Sequence, residues 1–380
     1  MIKNQLTIFL VFCITISCAE KSVIKNPIEY ALTSENINIK RVVDSLEQYE
    51  VQIKLSQINR VKDSIIFKDY DFQVDESNYF YPASTVKFPI AVLAMEKLNK
   101  LDSIDMNTRF YVEGDSIETT FANDVSKIFA VSDNLANNRL LEFIGQDAIN
   151  KNLELKGITP VRIAHRLSTE NADEITTKPL IVYLNDSTTA SINGTINTSA
   201  KPLEIKRTEK GIGYYAEDSL MTGPFSFALK NYYPINAQHS VLKRMIFPEV
   251  FNENERFNLN DEQREFILEA MHTLPKNVGY DPIEYYDSYV KFLMFGDSRE
   301  NMPENIKVYN KVGYAYGTLT DCAYILDAKN NIEFMLTTTI LVNKDGIFND
   351  NVYEYEDVGI PFLAELGRVI YKYELKRKKK

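Results

Sequence analysis

The sequence predicts an α/β (α+β) chain: an antiparallel sheet flanked by helices and built from both chain ends, with an all-helical subdomain inserted between them. Three observations carry this. β-rich runs occur early, at Val51, Ile53 and Leu55 and from Ser64 to Phe67, and return late, at Ile306 to Tyr309, Ala323 to Leu326 and Ile332 to Leu341. Between them, from about Asp102 to Glu304, the pattern is mostly helix and loop with no internal repeat. Helices with a single apolar face bound the strands: Ile39, Val42, Val43 and Leu46 form one stripe, and Phe362, Leu363, Leu366, Val369, Ile370 and Tyr373 form another. Strands so far apart in the chain find partners only by joining one sheet, with a site expected where the sheet meets the helical insertion.

The elements follow in order. A first helix is expected over 38–47, then two strands, then a helix from Ser84 to about Leu98 with Pro89 in its early turns, where proline is best tolerated. The clearest helix of the middle section is Asp261 to Leu274, capped by Asn260 with Gln263 three residues on, and closed by Pro275. Between Leu180 and Gln238 the pattern is weakest, and loops with a small hairpin are expected. The sheet subdomain is placed at about 38–82 and 305–380, and the helical subdomain at about 83–304.

A chain of 380 residues, 44% of them hydrophobic, can bury a large core. The net charge of -10 argues against nucleic acid as a partner, since phosphate binding needs clustered Lys and Arg. The one basic run, Lys376 to Lys380, reads as a solvated tail, with contact to anionic lipid as the alternative. Lys3 followed by the apolar stretch Leu6 to Ile16 has the form of a signal peptide over 1–17 and is too short for a confident membrane span. Ser17-Cys18-Ala19 resembles the lipobox of bacterial lipoproteins, although Thr15 stands where Leu is usual. Lipidation at Cys18 is therefore expected, against a plain secretory signal or an uncleaved anchor. A polar tether would span 18–37, holding the domain 38–380 to the cell envelope, periplasmic or at the surface. Of the three cysteines, Cys13 would leave with the signal, Cys18 would carry lipid, and Cys322 lies in an apolar run as a small buried hydrophobe.

The chemistry sits in three short runs. Ser84-Thr85-Val86-Lys87 places a hydroxyl and an amine three residues apart on one helical face, a nucleophile with its base. Lys87 can be that base only if burial and nearby cations lower its pKa. Ser132-Asp133-Asn134 supplies a hydroxyl able to relay a proton to a leaving amine, and an amide able to accept from Lys87 and donate to substrate. Lys311-Val312-Gly313 brings a second cation, which could also attract a substrate carboxylate, and a glycine that lets substrate lie close to a strand. The oxyanion donors would be the backbone N–H groups of Ser84 and Tyr314. Each run alone arises easily by chance; their order and context give them weight.

Together, Pro82-Ala83-Ser84-Thr85-Val86-Lys87, the run Ser132-Asp133-Asn134-Leu135-Ala136-Asn137-Asn138-Arg139-Leu140-Leu141, and Lys311-Val312-Gly313 followed by Asp321 and Ala323 resemble the class A β-lactamase-like serine hydrolases of the β-lactamase and penicillin-binding-protein superfamily. The resemblance implies a two-subdomain fold, an acyl-enzyme at Ser84, catalytic roles for Ser84, Lys87 and Ser132, and substrate contacts from Asn134, Lys311, Gly313 and Tyr314. The pattern breaks in three places. No Glu-x-x-Leu-Asn occurs in 162–179; Glu170 is the best candidate for the carboxylate that would activate the releasing water, Glu174 the next, and His165 reads as a structural loop histidine. Val312 replaces a threonine whose hydroxyl helps bind a β-lactam carboxylate. The segment between the second and third runs is longer than the family core needs, which implies insertions beside the cleft.

The resemblance thus implies a hydrolase of a β-lactam or related amide or ester, and a monomer is expected. A cell-wall peptidase or amidase with slow release is an alternative, as is a sensor lipoprotein without turnover. No cofactor is expected, and His165, His239 and His272 have no metal-ligand spacing.

Overall fold

The computed structural model describes residues 25–378. Its centre is a five-stranded sheet in the order Ile306–Ala315, Thr318–Asp327, Ile332–Leu341, Gln52–Val61, Ser64–Phe72, antiparallel throughout. The two chain ends join where Gln52–Val61 pairs with Ile332–Leu341, in a register that sets Leu55 opposite Leu336. Period-two alternation sends Phe334, Leu336 and Ile340 to one face and Met335 to the other. The sheet is therefore covered on both sides.

On one face lie Ile28, Ala31, Ile39 and Val42 from the first helices, with Phe362, Leu363, Leu366 and Ile370 from the terminal helix Ile360–Lys378. The opposite face meets the helical part, which packs Ile90 and Val92 of helix Lys87–Leu98 with Phe121, Leu140, Val241 and Ile267 in a second core. Helix Lys87–Leu98 is buried almost all round, the state expected of a helix with little amphipathic bias. Helix Asp261–His272 carries the expected capping box of Asn260 and Gln263.

Four expectations are revised. The serine does not open an α-helix: Ala83–Val86 is a 3-10 turn, and the α-helix begins at Lys87. Pro89 thus falls at the third position, where an N–H has no intrahelical partner to lose. The insertion is not helical throughout: the hairpin expected between Leu180 and Gln238 is there as Leu180–Asn185 with Thr188–Ile192, but it joins Arg109–Val112 in a sheet, and Gly213–Ala216 with Ser219–Thr222 forms a second. The stretch expected to be tether contains helix Pro27–Leu32, capped by Asn26 and packed under the terminal helix through Ile28 and Ala31. Finally, the basic run starts inside that terminal helix: Lys376 lies over the Tyr30 ring and Arg377 pairs with Glu374. The signal segment and Cys18 lie outside the described residues. Among the described residues no helix is long and apolar enough to cross a membrane.

Candidate active site

Three segments meet in one cleft, and each is shaped by local backbone requirements. Ala83 adopts a left-handed φ of 46° immediately before Ser84, and the turn is closed by the Thr85 hydroxyl donating to Pro82 O at 2.7 Å. Such a conformation costs a non-glycine residue about 1–3 kcal/mol and persists where surrounding packing enforces it.

The second segment is the junction of helices Phe121–Val131 and Asn134–Ile144. Ser132 ends the first helix in the left-handed region with φ 59°, and Asp133 caps the second by accepting from Ala136 N at 2.7 Å. The bidentate pair of Arg139 and Asp124, at 2.7 and 2.8 Å, joins the two helices in a buried setting. Ser-Asp-Asn is thus a helix stop, a helix cap and a first-turn residue. That geometry turns Ser132 and Asn134 toward the same lysine.

The third segment is strand Ile306–Ala315. A Cβ on Gly313 would lie 2.6 Å from Pro82 O and 2.8 Å from Ser84 N, so glycine is what lets the strand run against the nucleophile turn. Lys311, two residues earlier, shares that strand face.

The side chains form a connected group. Lys87 Nζ donates to Asn134 Oδ1 at 2.6 Å, to Ser132 Oγ at 3.3 Å and, in a short contact, to Ser132 O. Lys311 Nζ donates to Ser132 Oγ at 2.7 Å and to Val312 O at 2.9 Å. Ser132 is therefore held between two amines. Ser84, Ser132, Asn134, Ser168 and Tyr314 line a cavity of ≈ 510 Å³, which continues past Ser84 into a hollow lined by Tyr81, Tyr316 and Tyr353. Burial brings Lys87 down to about 7, against the opposing pull of Asp133. Lys311 is held well below the ordinary lysine range by burial first and by the neighbouring Lys87 second.

Behind Lys311 lies a further buried set. Lys291 Nζ donates to Asn310 Oδ1 at 2.6 Å and to Met271 O at 2.7 Å, while Asn310 Nδ2 donates to Asp321 Oδ1 at 2.8 Å. Burial pushes Lys291 down and Asp321 up, and the Asp321 carboxylate partly opposes the lowering of Lys311. The run of three motifs gives no hint of Lys291.

Of the residues expected at the site, Ser84, Lys87, Ser132, Asn134, Lys311, Gly313 and Tyr314 come together. Glu170 does not: it is exposed and lines neither part of the cleft. Ser168 stands there in its place, with a left-handed φ of 49° and its hydroxyl accepting from Asn134 Nδ2 at 3.0 Å. Its position is fixed from below. Asn138 donates to Leu167 O at 2.8 Å and accepts from Leu167 N at 3.0 Å, while Arg166 forms a buried bidentate pair with Glu142. A serine in a polar loop carries no signal by itself, whereas the tyrosine-dense run around Tyr285, Tyr286 and Tyr289, which also lines the cavity, was open to detection.

His165 is buried, bonded through Nδ1 to Arg166 O and brought down to about 4 by that burial, as suits a structural residue. Elsewhere Ser56, His239 and Asp69 meet, but Ser56 sits between the other two and His239 Nδ1 faces the Thr337 hydroxyl. In a catalytic triad the carboxylate orients the imidazole, so this set is a structural one. Cys322 is buried, with its thiol pushed up by the burial, and is inert.

Residues 39–200 match the sequence family described as the beta-lactamase enzyme family. No curated protein matches the chain in sequence. Among solved structures, a beta-lactamase from Xanthomonas campestris is similar at 12% identity and a TM-score of 0.50, over 91% of this chain and 98% of that one. A beta-lactamase from Desulfarculus baarsii is similar at 14% identity and a TM-score of 0.50, over 91% of this chain and 97% of that one. At such identities the likeness is one of fold.

Proposed function

We propose that this chain, whose residues 39–200 match the beta-lactamase enzyme family, acts as a serine hydrolase of the class A type, acylated at Ser84 by a β-lactam or a related amide or ester. The observation that carries this reading is the Lys87, Ser132, Asn134 and Lys311 group bonded together in the cleft that Ser84 lines. In the acylation step Ser84 Oγ bonds to the acyl carbon as its proton passes to the Lys87 amine, and the carbonyl electrons move onto oxygen. The N–H groups of Ser84 and Tyr314 stabilise that oxyanion. Collapse breaks the bond to the leaving nitrogen or oxygen, which takes its proton from Ser132 Oγ, itself resupplied by the bonded lysines.

Ser84→Ala is expected to abolish turnover of a chromogenic cephalosporin and of an activated ester alike, while Thr85→Ser is not. Equal rates for Ser84→Ala and the parent would remove the reading.

A second reading, slow release as in a cell-wall peptidase or amidase, is favoured by one observation: Ser168, rather than a carboxylate, meets Asn134 in the cleft. A neutral hydroxyl is a far weaker base toward water than a carboxylate. The acyl adduct is thus expected to persist, and Ser168→Glu to shorten its lifetime by at least about tenfold, the low side of a general-base contribution, as timed by intact mass. An unchanged lifetime would place the releasing base elsewhere.

The envelope location also stands as a proposal. A lipid on Cys18 followed by a short link to helix Pro27–Leu32 would hold the domain near a membrane surface as a monomer. Labelling with a palmitate analogue, lost in Cys18→Ala, tests it.

A further inference from the structure

The cavity next to Ser84 has a composition that bears on substrate charge. Its lining includes two acids, Asp133 and Glu356, and among the described residues no arginine or lysine; the Lys87 and Lys311 amines lie behind it, bonded to Ser132 and Asn134. Asp133 is already engaged as a helix cap. Glu356 is exposed on the turn Tyr355–Gly359, and its carboxylate makes no hydrogen bond or ion pair among the described residues.

Around it stand tyrosines from two sides. Tyr285 and Tyr289 have ring centroids 4.9 Å apart at 66°, and Tyr286 and Tyr289 are 5.9 Å apart at 82°. From the strand side, Tyr314 and Tyr355 meet at 5.4 Å and 77°. In each edge-to-face pair the edge of one ring covers a face of the other, and the faces that remain carry the negative part of the ring quadrupole. One cation already uses such a face: the Arg299 guanidinium, which does not line the cavity, lies 4.5 Å from the Tyr286 centroid.

The features that would hold an anion are weak. Val312 brings no hydroxyl, and Lys311 is buried with its amine committed to Ser132 Oγ and Val312 O. We propose that this cleft selects esters or amides bearing a cationic group beside the reacting carbonyl, seated among Tyr285, Tyr286, Tyr289, Tyr314 and Tyr355 with Glu356 as its counter-charge. The proposal rests on the serine hydrolase reading and adds to it a substrate class. Aromatic faces and an unpaired carboxylate favour an ammonium group and repel a carboxylate, and the two effects act together on the ratio of rates.

The test uses the full chain and three p-nitrophenyl esters of matched acyl length, ending in trimethylammonium, in a methyl group or in a carboxylate. A fluorophosphonate that labels serine nucleophiles serves as the control for Ser84. The cationic ester is expected to exceed the anionic one in kcat/KM by about tenfold or more, and Glu356→Gln to reduce that ratio. Equal rates, or preference for the anionic ester, with Ser84 acylated in both cases, would overturn the charge selectivity and leave the hydrolase reading standing. Failure of all three esters and of the fluorophosphonate to modify Ser84 would overturn both.

Discussion

Lys87 is the residue on which the chemistry turns, because an amine buried at the start of a helix and brought down to about 7 can accept a proton near neutrality. The base must be neutral to act, so kcat/KM should rise with pH through an inflection near 7 and level off above it. A rate that falls over that interval would assign the base elsewhere. The residues legible in the sequence were those whose roles depend on spacing: Ser84 with Lys87, Ser132 with Asn134, and Lys311 with Gly313. Gly313 illustrates the limit, since the sequence suggests room for substrate whereas the structure uses that room for the turn bearing Ser84. Ser168 was not legible. Its placement depends on Asn138 and on the Arg166 and Glu142 pair, which are contacts between segments that no local pattern encodes.

At the scale of elements, the site is a set of helix ends held together. The Arg139 and Asp124 pair bridges the two helices whose junction presents Ser132 and Asn134. Arg139→Leu leaves the Asp124 carboxylate buried without its partner, a change that costs about 3–5 kcal/mol. The variant should therefore show a markedly lower thermal midpoint by calorimetry. Replacing both residues together, Asp124→Leu with Arg139→Leu, should recover most of that loss, and failure to recover would mean the pair contributes more than charge balance. Capped and amphipathic helices were well anticipated, with Asn260 and Gln263 the clearest case. The 3-10 turn at Ala83–Val86 was not, because the left-handed Ala83 is imposed by tertiary packing against local preference. Helix Pro27–Leu32 was missed for a related reason: six residues are too few to show a period, and it is stabilised by packing under the terminal helix.

Across the whole molecule, the sheet ties the chain ends together and places a core on each of its faces, so the cleft is built on the shared wall. The scattered β-rich runs made this topology legible. In the insertion only the presence of a small hairpin was legible; its pairing with Arg109–Val112 and the second hairpin were not, since most of these strands are exposed and too short to show a pattern. Global stability should respond to acid through buried histidine. Burial between Ser56 and Thr337 brings His239 down to about 3. With the folded pKa below the unfolded one, stability is complete above about 6.5 and declines as pH falls toward 3, by about 1.4 kcal/mol per pH unit from this group. Denaturant midpoints measured between pH 7 and pH 4 should drop steeply, and a flat profile would show that His239 is not held neutral.

The most direct measurement is the mass of the peptide containing Ser84 after brief exposure of the protein to a penicillin or an activated ester and rapid acid quench. The account predicts one added acyl group on Ser84, absent in Ser84→Ala and formed far more slowly in Lys87→Ala. An adduct on any other residue, or turnover of substrate with Ser84 never modified, would contradict it.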